Sequence, residues 1–164
     1  MRKILKGILI GVFAAMLGVS PTMAAVNSSD FVFTGNAQSQ QVTVQIYDRR
    51  GNWIADGMLS ISNPRNGKIG IYMTTQCHVP VDEIQMDIAV EQYDTSISDW
   101  KQVDYLSYNF TPQSGKNLTD ATVDTQLPGH EANQTYRLQG WHMVFVNGGS
   151  ESLESTTGSV LITD

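Results

Sequence analysis

The feature that most restricts this chain is a hydrophobic period of two. In residues 83–92, Ile84, Met86, Ile88 and Val90 alternate with Glu83, Gln85, Asp87, Ala89 and Glu91. Successive side chains leave a β-strand on opposite faces, so this spacing predicts one face in the core and one in water. Val42, Val44 and Ile46 alternate with Thr43, Gln45 and Tyr47 in the same way. Ile69, Ile71 and Met73 follow the turn Asn63-Pro64-Arg65-Asn66-Gly67. There Pro fixes φ and removes a donor, and Asn-Gly accepts the left-handed φ of a tight hairpin. Runs over 53–62, 100–110, 121–125, 135–146 and 151–162 supply further strands, the last two joined by Asn147-Gly148-Gly149. In 100–110 the apolar residues change parity between Tyr105 and Leu106, which predicts a bulge there. No stretch of a dozen residues carries a helical stripe.

Seven or eight strands with a turn about every ten residues predict an all-β, two-sheet antiparallel β-sandwich. Leu127-Pro128-Gly129 followed by Tyr136 resembles a tyrosine corner, in which a phenol bonds back to the loop before its strand. That feature favours an immunoglobulin or fibronectin type III arrangement. An ordinary buried tyrosine is the competing reading.

The N-terminus predicts export. Arg2, Lys3 and Lys6 precede an apolar run over residues 8–19, and Thr22 and Ala24 offer the small residues of a cleavage site after Ala24. The run is shorter than the ~20 residues a spanning helix needs. Residues 1–24 are therefore read as a signal peptide, 25–41 as a polar, flexible N-terminal arm and 42–164 as the β-sandwich domain, secreted and without a membrane span in its mature form. The leader holds three of the ten basic residues and none of the sixteen acidic ones, so cleavage leaves seven against sixteen, a formal charge of −9. An acidic domain repels nucleic acid and anionic membrane surfaces. The single cysteine, Cys77, forbids an internal disulfide.

Catalytic signatures are missing: there is no Gly-x-Ser-x-Gly, no His-Glu-x-x-His and no Ser-x-x-Lys at a plausible site. No cofactor and no enzymatic activity are expected. Asp87 and Glu91 share the wet face of their strand and read as solubility. Cys77, His78 and His142 form the sharpest metal or thiol hypothesis, because parity points Cys77 and His142 inward from opposite sheets. A buried cysteine and a hydrogen-bonded core histidine are the plainer reading. Trp141, Met143 and Phe145, with Arg137, fall on the outward parity of the same strand, which is thus apolar on both sides. The cover for that face could be a loop, the arm with Phe31 and Phe33, a second subunit in a homodimer, or a ligand. These residues are the candidate binding surface for an extracellular protein or glycan. The alternatives are an extracellular metal- or thiol-dependent protein centred on Cys77 and His142, and a structural envelope module without a discrete ligand.

Thr75-Gln76-Cys77-His78, Val81-Asp82, Glu91-Gln92 and the strand Tyr136-Arg137-Leu138-Gln139-Gly140-Trp141-His142, with Asn147-Gly148-Gly149 and Glu151-Ser152 after it, carry a resemblance. Over roughly residues 56–162 the chain resembles a family of short exported proteins of Gram-positive bacteria that carry a domain of unknown function. The resemblance implies a small secreted β domain and brings no assigned activity, substrate or catalytic residue. Some members have a second cysteine where this chain has Val81, so a short disulfide or paired-thiol role for Cys77 does not carry over.

Overall fold

The computed structural model describes residues 31–34, 41–46 and 51–164. These form ten strands and no helix: β1 (Phe31–Thr34), β2 (Gln41–Ile46), β3 (Ile54–Ser62), β4 (Ile69–Val81), β5 (Glu83–Asp94), β6 (Asp99–Phe110), β7 (Leu118–Leu127), β8 (Gln134–Val146), β9 (Gly149–Thr156) and β10 (Val160–Ile162). The leader expected over 1–24 lies outside the described residues. The arm expected over 25–41 contributes β1, which pairs antiparallel with β2.

Two antiparallel sheets face each other, in the orders β1-β2-β3-β4-β7 and β10-β8-β5-β6, with β9 also on β8. β9 and β10 lie end to end on the edge of β8 opposite β5. In the gap between them, Thr157 donates its amide to the Leu138 carbonyl and accepts the Leu138 amide on its hydroxyl, both at 2.9 Å. A side chain thus replaces a ladder bond and keeps the interrupted strand in register. The β3–β4 hairpin is followed by a crossing to the β5–β6 hairpin, a return to β7 beside β4, and a second crossing to β8 beside β5. This is the Greek-key connectivity of immunoglobulin and fibronectin type III sandwiches. β1 and β2 widen the first sheet beyond that frame.

The core is the layer between the sheets. Leu59, Ile71 and Met73 meet Ile84, Met86, Ile88, Val90, Leu138 and Val144 there, all buried. The four alternating residues of β5 have no exposed surface, and each fully buried aliphatic side chain contributes about 1.5–3 kcal/mol. The tyrosine corner forms. Tyr136 is buried at the start of β8, donates its hydroxyl to the Glu131 carbonyl at 2.8 Å, and packs edge-on against His130. That bond fastens the loop between β7 and β8 to the second sheet.

Two expectations need correction. The bulge in β6 falls at Val103, where pairing steps from Val90 with Asp104 to Glu91 with Gln102, and not between Tyr105 and Leu106. Asp104 takes the position opposite Val90 and approaches His130 Nε2 at 3.3 Å, while Val103, as the extra residue, packs against the core. Tyr105, paired with Ala89, therefore points outward. The outer side of β5 is also drier than its alternation suggests. Asp87 and Ala89 are buried there, because the side chains of β6 and β8 flank them on both sides.

Candidate functional site

His142 is fully buried, and both ring nitrogens are engaged. Nδ1 lies 2.8 Å from the Thr75 hydroxyl of β4 and Nε2 lies 3.1 Å from the Ser155 hydroxyl of β9. A neutral imidazole has one donor and one acceptor nitrogen, and a hydroxyl can answer either. Burial holds the ring pKa down, at about 3, so the neutral form persists. Thr75 belongs to one sheet and His142 and Ser155 to the other, so the ring ties the two sheets through the core. Gly57, paired with Thr75, makes the room: a Cβ there would stand 3.2 Å from two ring atoms and 2.9 Å from a Leu153 methyl. A serine bonded to a histidine is also the geometry of a nucleophile and its base. Here both residues are sealed from solvent, at 0% and 2% exposure, so the pair acts as a packed tie.

Cys77 does not share this site. The residue of β4 that meets His142 is Thr75, one inward position earlier, which is about 7 Å along a strand. Cys77 is half-buried against the core opposite Ile54, its thiol pushed up to about 11 by burial first and then by the charges of Glu151 and Asp120. A thiol so raised is a poor nucleophile at neutral pH. His78 is exposed, and its backbone amide donates to the Trp53 carbonyl at 2.8 Å. Among the described residues, no three His, Cys, Asp or Glu side chains converge as a metal site. Sequence reasoning missed Thr75 and Ser155. The signal was there: each is a polar residue at an inward position, Thr75 after Ile69, Ile71 and Met73, and Ser155 after Leu153.

The outward positions of β8, β5 and β6 form a second cluster. Trp141, Met143, Phe145 and Arg137 all lie on it, half-buried. The Trp141 ring stands 6.5 Å from that of Tyr105, which is 48% exposed. Between and beside them run acids. Asp87 pairs with Trp141 across β5, accepting from Ser107 at 2.5 Å and Gln85 at 3.0 Å, and Glu154 of β9 pairs with Trp141 on the other side. The Tyr105 phenol is held above its usual pKa by partial burial first, then by Asp87. At the other end of the face, Arg137 donates from Nε to Glu91 at 2.6 Å, and its guanidinium carbon lies 4.3 Å from the centre of the Trp100 ring. Trp100 is braced edge-on by Tyr93 at 5.3 Å. Side chains of the same sheet thus give Trp141 its partial cover. β1, the strand that carries Phe31 and Phe33, lies in the opposite sheet.

Other residues of the motifs prove to be fastenings. Glu151 accepts the backbone amides of Asn52 and Trp53 at 2.9 Å and of Ile54 at 3.1 Å, pinning the entry of β3 to β9. Asp82 accepts the Asn147 amide at 2.7 Å and closes the turn of the last hairpin, where Asn147 and Gly148 both have positive φ. No protein-family model matches the chain, and no curated protein matches it.

Proposed function

We propose that this chain is an exported binding module that takes an extracellular protein or glycan on the outer face of β8, β5 and β6. One observation carries the reading: Tyr105, 48% exposed, stands beside Trp141 on long paired strands. Exposed aromatic rings on a rigid sheet supply contact area at low entropic cost, as binding surfaces require. The leader-like N-terminus supports export, and the motif resemblance to exported Gram-positive proteins agrees with it. The metal or thiol reading has less support, since His142 spends both nitrogens on hydroxyls and its neighbour on β4 is Thr75 and not Cys77.

The test expresses the full chain with its own leader and collects the exported protein. Fluorescent protein is then bound to intact Gram-positive cells. Tyr105→Ala should reduce saturable binding roughly fivefold or more while the thermal midpoint stays within about 2 °C, because an exposed side chain contributes little to stability. Undiminished binding by the variant would move recognition away from this face.

A further inference from the structure

The outer face holds two places where an aromatic ring meets a carboxylate, and one is filled from within. Arg137 lies over Trp100 and bonds to Glu91, so its charge is shared between a ring face and an acid. A cation is attracted to the negative face of an indole, and a neighbouring carboxylate adds to that attraction. Four residues along β8, about 13 Å away, Trp141 repeats the composition. It stands beside Tyr105, with Asp87 across one edge of the strand and Glu154 across the other. Among the described residues, Glu154 forms no ion pair. Asp87 is met by neutral groups, the Ser107 hydroxyl, the Gln85 amide and the Tyr105 phenol, and by no cation among the described residues.

The charge around this second place is one-sided. Along the outward positions of β5, β8 and β9, Arg137 is the one cation among the described residues, and Glu91 answers it. Glu83, Asp87 and Glu154 remain. A mature chain of formal charge −9 reinforces the same field at longer range.

We infer that the Trp141–Tyr105 patch receives a cationic side chain, an arginine or lysine presented by a protein segment, in the manner in which Trp100 and Glu91 receive Arg137. The inference rests on the outer face being the recognition surface and names the chemistry of its partner. The guanidinium stacks on Tyr105 and Trp141, and Glu154 supplies the countercharge.

The experiment titrates the exported protein with an acetylated, amidated tetra-arginine peptide and follows the indole N–H of Trp141 by NMR. Tetra-glutamate and chitotetraose are the other probes. Tetra-arginine should shift the Trp141 signal saturably and tetra-glutamate should not. Tyr105→Ala and Glu154→Gln should each raise the dissociation constant roughly three- to tenfold. Asp124→Asn, which removes an exposed acid of β7 in the opposite sheet, should leave it unchanged. Equal weakening by Asp124→Asn and Glu154→Gln would reduce the effect to general charge attraction and overturn the inference. A Trp141 shift with chitotetraose and none with tetra-arginine would overturn it in favour of a glycan. If neither probe shifts Trp141 while Tyr105→Ala still lowers cell binding, the cationic assignment falls and the recognition face stands. If Tyr105→Ala leaves cell binding intact as well, both fall.

Discussion

The two sides of β8 are built from one stretch of sequence and do opposite things. Inward, Tyr136, Leu138, His142 and Val144 are sealed, and every polar atom named on them has a partner. Outward, Arg137, Trp141, Met143 and Phe145 keep part of their surface and lie among acids and a half-exposed tyrosine. The difference teaches where the work of holding the sheets together ends and the proposed recognition face begins. A strand anchored by its inner residues can present large outer side chains at fixed spacing, because the outer ones are not needed to hold it.

That division breaks most visibly at His142. His142→Ala removes a buried ring and leaves the Thr75 and Ser155 hydroxyls without their partner in the core, so a loss of about 3–5 kcal/mol is expected. Urea unfolding would read it as a lower midpoint at unchanged slope, and a loss under 1 kcal/mol would place the ring outside the core. The same residue sets a pH dependence. The folded pKa of about 3 lies below the ordinary value of 6.5, so the unfolded chain takes up the proton first as pH falls. The His142 contribution is complete above about pH 6.5 and declines toward pH 3, by ~1.4 kcal/mol per pH unit at most. Stability curves of the wild-type chain and of His142→Gln should diverge across that window, and parallel curves would show that the ring titrates normally. A smaller effect is expected at the corner. Tyr136→Phe keeps the packing and removes the bond to the Glu131 carbonyl, for about 1 kcal/mol, measurable as a fall of a few degrees in the thermal midpoint.

Much of this was legible beforehand. Ile84, Met86, Ile88 and Val90 announce their strand because burial on one face leaves a period-two trace, and Tyr136 after Leu127-Pro128-Gly129 announces the corner because that bond is local. The partners of His142 were not legible, because which hydroxyl meets the ring depends on how two sheets slide over each other, and strand periodicity carries no information on that offset. Cys77 and Thr75 share one inward parity, so periodicity offers either as a neighbour of His142 and does not choose between them. The plainer reading, a hydrogen-bonded core histidine, is what forms. The dry outer side of β5 escaped for a related reason: Asp87 looks wet in its own strand and is covered by Ser107 and Gln85 only once β6 is in register.

Hydroxyl-radical footprinting with residue-level mass spectrometry puts the contrast between the two sides of β8 to its most direct test. Tyr105, Trp141 and Met143 should be oxidised readily in the native protein, with Tyr136, His142 and Met86 protected until it unfolds. Oxidation of Tyr136 and His142 at rates comparable to Trp141 in the folded state would contradict a strand that is anchored on one face and leaves the other open to the proposed partner.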